Sequence, residues 1–310
     1  MADKKKIVVI CGPTAGGKTG LSLKIAENFC GEIISADSMQ IYKNLDIGTA
    51  KATKYEQSVA KHHLIDILEP TEPYNVQLFV KSCAEKIDLI SSRGKLPIVV
   101  GGTGLYIESL INGISFSDQD DNTKTKQRLK NELSQYGKEH MYSELCRIDP
   151  EYAKTVHPNN TVRVLRAIEI YRLTGKTMSE QIKNSKPAQK PYEALIIGLN
   201  FHDRRTLYDR INRRVDLMIN DGLLKEAEYV YKNRDSFKTC VSAIGYKEFF
   251  PYFDGNAELS ECVDKLKQSS RNYAKRQLTW FNRMADVVWL YPEDSDYIEK
   301  AEKLVKDFLE

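Results

Sequence analysis

An α/β fold, a parallel sheet flanked by helices with an all-helical insertion domain, is what the sequence predicts. Three observations carry that prediction. Short apolar strands alternate with helical segments over the first hundred residues, an apolar strand returns at 194–200 after a long polar stretch, and the first strand runs straight into a glycine-rich turn.

The elements follow in order. "KIVVI" is an apolar strand, and "TGLSLKIAENF" places Leu21, Ile25 and Phe29 at helical spacing. "GEIISADS" and "HHLIDIL" are the second and third strand candidates. "NVQLFVKSCAEKIDLISSRG" is a helix ending at Gly94, and "LPIVVGGTG" is a fourth strand opening into a glycine turn. Residues 115–193 are polar and helical, giving an insertion domain, and "ALIIGLN" then resumes the core. The expected division is therefore 1–114 with 194–310 as core and 115–193 as insertion. Everything after residue 200 is expected to be helical, and there is no internal repeat. Ligands of such sheets sit at the carboxyl ends of the strands, where the first glycine turn, "ADSMQ" and "GGTGLY" all fall.

With 310 residues, 41% hydrophobic and 29% charged, the chain has the composition of a soluble globular protein. No apolar run approaches the roughly 20 residues of a bilayer span, so no membrane association is expected. The basic start leads into a short strand without a small-residue cleavage site, unlike a signal peptide. Six scattered cysteines without a CxxC pair argue against zinc and disulfides and for reduced, cytoplasmic thiols. The net charge of +3 is uninformative, but its distribution is not. "DRRTLYDRINRRV" is rich in Arg. Lys265 to Arg283 holds no acid and interleaves Tyr273, Trp280 and Phe281 with cations. Beside a phosphate loop, two such runs favour a polyanion partner over a merely solvated face.

"GPTAGGKT" (Gly12, Pro13, Thr14, Ala15, Gly16, Gly17, Lys18, Thr19) has the GxxxxGK[ST] spacing of a P-loop, so the core is P-loop NTPase-like. Glycines let backbone N–H groups reach oxyanions, and the helix behind presents its positive end. Lys18 supplies a point charge, and the Thr19 hydroxyl can ligate Mg²⁺ or a phosphate oxygen. This predicts a bound diphosphate or triphosphate, ATP or GTP by default. Asp37 follows an apolar strand, where a nucleotide hydrolase would organise Mg²⁺ and water. Locally, a hydrolase, a nucleotide kinase and a nucleotide-switched RNA-binding protein all remain open. His62 and His63, adjacent on a strand, point to opposite faces, which favours packing or hydrogen bonding over a metal.

"ISADSMQIYKNLDIGTAK" is far more specific. Together with "GPTAGGKT", "HHLID", "GGTGLY", "HPNNTVRVLRAIEIYRLTG", "LYDRINRRVDLMINDGL", "AIGYKE" and "YAKRQLTWF", it resembles the bacterial-type tRNA dimethylallyltransferases, the isopentenyl transferases, in order from about residue 7 to residue 283. The resemblance implies transfer of a dimethylallyl group from dimethylallyl diphosphate to N6 of the adenine adjacent to the anticodon (position 37) in tRNA, with diphosphate leaving. The P-loop would then hold the leaving group, with Mg²⁺ at Thr19 and with Arg210 and Arg214, four apart on one helical face, as outer clamps. Asp37 matches the family's general base, and Thr103 matches a threonine near the transferred group. Ser38, Met39 and Gln40 would meet the adenine. Lys126, Asn159, Asn160, Arg163 and Arg166 in the insertion, and Lys275, Arg276, Gln277 and Trp280 near the C-terminus, would contact the anticodon stem-loop. A monomer is expected. The sequence departs from the family pattern at Gly16 (often Ser), at Ala52 (usually Pro) and near Lys126, where an Arg is common. A relative that prenylates free adenine nucleotides is the alternative, which the basic helices and polar insertion argue against.

Overall fold

The computed structural model describes residues 4–114, 123–185, 187 and 189–310. β1 (Lys5–Cys11) is buried from Ile7 onward and feeds the glycine loop and α1 (Lys18–Asn28). β2 (Gly31–Ser35), α2 (Lys54–Val59), β3 (His62–His63), α3 (Val76–Ser91), β4 (Leu96–Gly101) and α4 (Gly104–Ile111) follow. Then come α5 (Thr123–Ile148), α6 (Pro150–Ala153), α7 (Thr161–Thr174) and α8 (Met178–Asn184). The chain continues through β5 (Tyr192–Leu199), α9 (Arg204–Asn220), α10 (Leu223–Lys232), α11 (Phe250–Phe253), α12 (Leu259–Phe281), β6 (Val287–Leu290) and α13 (Tyr297–Leu309).

All six strands are parallel, in the order β3-β2-β4-β1-β5-β6. Alternation along β1 sends Ile7, Val9 and Cys11 into one core with Val99, Phe79 and Ile107, and Val8 and Ile10 into the other with Leu21, Ile25 and Ile98. A sheet covered on both faces needs such uninterrupted apolar strands. The α/β class is therefore as expected. Two elements differ from the sequence reading. "HHLIDIL" forms only the two-residue β3, because Leu64 (φ 60°) and Asp66 (φ 55°) leave extended backbone for the left-handed region. The C-terminal part, expected to be wholly helical, contributes β6, an edge strand paired to β5.

The chain divides into two compact units, Met1–Ile111 with Lys190–Glu310, and Asn112–Gln189. The expected start of the insertion, at residue 115, lies outside the described residues. Within the second unit, α5 breaks at Gly137 (φ 79°), and Leu129, Met141, Leu145, Val164 and Ile168 form its core. Buried Asp149 caps α6 and accepts hydrogen bonds from the backbone and hydroxyl of Ser179 (2.9 and 2.6 Å). Among the described residues no helix is long and apolar enough to cross a membrane.

The first unit is stitched across its own sequence. The Glu226 carboxylate on α10 accepts the N–H groups of Asp46, Ile47 and Gly48 (2.8, 2.9 and 2.8 Å) and the Tyr246 hydroxyl (2.8 Å). Lys51, with a side chain only 3% exposed, bonds the Tyr42 carbonyl and the Asp46 and Asp66 carboxylates. Both fix the 46–52 loop, which borders the cavity described next.

Candidate active site

At the carboxyl edge of the sheet, β1, β2 and β4 deliver three loops to one place. Ala36 N–H bonds the Val100 carbonyl (2.8 Å) and Thr103 N–H reaches the Ala36 carbonyl (3.4 Å), locking the second loop to the third. In the first loop, Ala15 (φ 59°) and Gly17 (φ 90°) are left-handed, a turn geometry that aims successive N–H groups into one concavity. Gly12 has no alternative to glycine. Its φ is +139°, and a Cβ there would lie 2.6 Å from the Leu199 carbonyl oxygen. The loops open on a cavity of about 750 Å³ whose walls come from the first unit.

Lys18 Nζ donates to the carbonyls of Gly12 (3.0 Å) and Pro13 (2.6 Å) inside the loop. Burial, and then the neighbouring Arg214 charge, push its pKa down to about 8, with Asp37 opposing. Arg214 is likewise pulled down by burial and held up by Asp37. Two cations thus crowd one carboxylate. Arg210, one turn before Arg214 on α9, donates from Nε to the Ala15 carbonyl (3.0 Å), and its guanidinium lies 5.5 Å from the Phe201 ring centroid. Asp37 Oδ1 accepts from Met39 N–H (2.8 Å) and, at 3.4 Å, from Gln40 N–H, which orients the carboxylate into the cavity beside Ser38 and Met39. Thr103 Oγ1 is buried against the Tyr273 hydroxyl. Burial, reinforced by the Asp37 charge, lifts the Tyr273 phenol to about 12.

The residues expected on the RNA side fall in several places. Gln40 is spent internally: its Oε1 accepts from the Ser35 hydroxyl (2.8 Å) and its Nε2 donates to the carbonyls of Thr49 and Ala50 (both 3.2 Å). Gln277 turns inward, between Thr14 N–H (2.8 Å) and the Gly102 carbonyl (3.0 Å). Trp280 packs on the turn, its Cδ1 2.5 Å from where a Cβ on Gly104 would stand. Lys275 is exposed outside the cavity, whereas Arg276 lines it. In the second unit Asn160 caps α7 through Arg163 N–H (3.3 Å), and Asn159 accepts from Lys138 (2.6 Å). Arg166 bonds Glu169 (2.7 Å), and Arg163 and Lys126 are exposed. Sequence reasoning passed over Tyr273 as a cavity residue and misjudged the facing of Gln277. Ala274, Leu278 and Phe281 mark a buried stripe on α12 that includes position 277, and that spacing was the available signal.

Among the described residues no three His, Cys, Asp or Glu side chains gather to hold a metal. Mg²⁺ keeps most of its shell as water and phosphate oxygens, however, and asks little of a protein beyond a hydroxyl or a carboxylate. The Thr19 hydroxyl and the Asp37 carboxylate on the same cavity fit that modest demand. His62 and His63 are accounted for without a metal, by the Ala60 carbonyl (2.7 Å) and Glu32 (2.7 Å).

Comparison with known proteins places this geometry. The family model described as IPP transferase matches residues 40–284, and one described as isopentenyl transferase matches residues 5–67. The chain is 45% identical over 308 residues to a tRNA dimethylallyltransferase of Thermoanaerobacter sp. (strain X514), covering 98% of this chain and 97% of that one. Against the Bacillus subtilis tRNA dimethylallyltransferase the identity is 46% over 286 residues, 92% of this chain and 90% of that one. Among solved structures, the full-length tRNA isopentenylpyrophosphate transferase of Bacillus halodurans is 42% identical, with a TM-score of 0.73 over 99% of this chain and 97% of that one. A eukaryotic dimethylallyltransferase acting on tRNA superposes with a TM-score of 0.83 at 32% identity, over 98% of this chain and 79% of that one. With an aspartate opposite two cations at its glycine loop and these relatives matching nearly its whole length, the chain belongs to the IPP transferase family of tRNA-prenylating enzymes.

Proposed function

We propose that the chain transfers a dimethylallyl group from dimethylallyl diphosphate to N6 of the adenine adjacent to the anticodon (position 37) in tRNA, acting as a cytoplasmic monomer. The observation that carries this reading is the pair of half-buried cations, Lys18 and Arg214, facing the single carboxylate of Asp37 across one cavity. An excess of positive charge lining a cavity is a seat for a diphosphate, and a carboxylate beside it is a seat for a proton.

The C–O bond of the allylic diphosphate breaks, its electron pair leaves with diphosphate, and the adenine N6 lone pair forms the new C–N bond. The proton lost from N6 goes to Asp37, whose hydrogen bond from Met39 N–H fixes its orientation. Loop N–H groups, Lys18 and Arg214 stabilise the charge that develops on the leaving oxygens. Thr103, next to the cavity-lining Gly101 and Gly102, would donate its hydroxyl to the departing oxygen. Mg²⁺ at Thr19 would neutralise further diphosphate charge. The adenine reaches the cavity by extrusion from its stack, at a cost of about a few kcal/mol that backbone contacts offset. Incubation of the protein with Mg²⁺, labelled dimethylallyl diphosphate and unmodified tRNA is expected to label the tRNA and release diphosphate. Transfer to AMP with none to tRNA, or ATP turnover without prenyl transfer, would overturn the proposal.

A further inference from the structure

Gln277 lies on the buried stripe of α12, 5% exposed, between Ala274 and Phe281. A buried primary amide must satisfy both of its ends. Here Oε1 accepts from Thr14 N–H in the glycine loop (2.8 Å), and Nε2 donates to the Gly102 carbonyl in the turn after β4 (3.0 Å). The orientation is unique, because rotating the amide by half a turn would set N–H against N–H and oxygen against oxygen. One rigid planar group therefore spans two loops that come from opposite parts of the N-terminal half, and it is anchored on a helix from the far end of the chain. The fit is tight as well: a Cβ on Gly102 would stand 2.1 Å from Gln277 Nε2. Position 102 is glycine because the brace occupies the space.

We propose that Gln277 is a positioning residue that sets the separation between the diphosphate cradle and the glycine turn after β4. This rests on the prenyl-transfer reading above. Both loops line the same cavity, Thr14 to Thr19 on one side and Gly101 and Gly102 on the other. Geometry of that kind is held to within about half an ångström in working sites, and a misplacement of about 1 Å costs about a hundredfold in rate. Arg210 ties the same loop to α9 through the Ala15 carbonyl (3.0 Å), so the cradle is anchored on one side by Arg210 and on the other by Gln277.

The test uses the full chain with tRNA and dimethylallyl diphosphate. In Gln277→Met the side-chain volume is kept and both hydrogen bonds are lost. The expected result is a donor kcat/KM lower by about 10- to 100-fold, with tRNA affinity, measured without donor, within about twofold of the parent. Weakened tRNA binding with an unchanged donor KM would make Gln277 an RNA contact and overturn the proposal. Gly102→Ala supplies an independent arm. Alone it drives a methyl into the amide and is expected to be at least as damaging as Gln277→Ala, whereas added to Gln277→Ala it is expected to do little more. Additive losses in that cycle would refute the brace. If the parent protein itself fails to prenylate tRNA, the functional reading falls; if it prenylates and the variants behave otherwise than stated, only the brace falls.

Discussion

Two charged clusters in the first unit are built on opposite rules. Around Glu32, 2% exposed on β2, His63 Nε2 and Arg93 Nη2 approach to 2.7 Å and Lys95 Nζ to 2.9 Å. Burial alone would raise that carboxyl, yet the hydrogen bonds of His63 and Lys95 and the charges of Lys95 and Arg93 outweigh it and leave it at about 2. Every lone pair facing inward has a donor. Around Lys18 the balance is incomplete, with two cations facing one carboxylate across an open cavity. The first arrangement is closed and serves stability. The second is open and creates a demand for an anion, which is how a perturbed group in a cleft differs from one in a structural network.

The largest effect should come from the open site. Asp37→Asn keeps shape and removes the proton acceptor, so transfer is expected to fall by about 10²–10⁴-fold while tRNA affinity holds. Single-turnover transfer and a binding titration separate the two, and equal losses in both would deny Asp37 the role of base. The closed site should fail differently. Glu32→Gln is expected to cost about 2–3 kcal/mol in denaturant unfolding, because it strands three donors around a neutral amide, two of them partly screened by solvent. Activity per folded molecule should be unchanged. The native carboxyl titrates far below its unfolded counterpart, at about 4.3, so its contribution is complete at neutral pH. The gap between parent and variant should narrow progressively as pH falls from about 4.5 through about 2, and a gap undiminished at about pH 2 would assign the loss to packing instead. The smallest effect tests Lys18 by titration alone. With a pKa lowered to about 8, it is cationic below that pH and loses its charge above it. Donor KM is expected to be flat up to about pH 7.5 and to rise by up to about tenfold per unit beyond about 8. A flat KM to pH 9.5 would show that the charge does not hold the donor.

How much of this was legible in the sequence depended on the range of each interaction. The glycine loop, Asp37 and the "GGTG" turn declare themselves because their chemistry is local: a strand, a bend, a helix start. The Glu32 network does not, since its partners lie on β3 and in the turn between α3 and β4, distant in sequence and united by strand order. β6 escaped because four residues after a basic helix carry no period to distinguish a strand from a helix end. Gln277 was read by the company of Lys275 and Arg276, although helical facing, with Ala274 and Leu278 buried, places it on the opposite side. Composition suggested RNA, and geometry turned the side chain toward the glycine loop.

The strand order has a consequence for how the molecule is made. β1 sits in the middle of the finished sheet, but its neighbour β5 begins at Tyr192, so about 180 residues must be synthesised before that side is paired. At about 5–20 residues per second, the apolar edge of β1 stands open on the ribosome for about 10–40 seconds. An open, flat, hydrophobic edge invites intermolecular pairing. The second unit, with a core of its own and helices whose contacts are local, emerges within that interval and is able to fold before the sheet of the first unit is complete. Nascent chains stalled just before Tyr192 are therefore the species in which chaperone dependence should be sought.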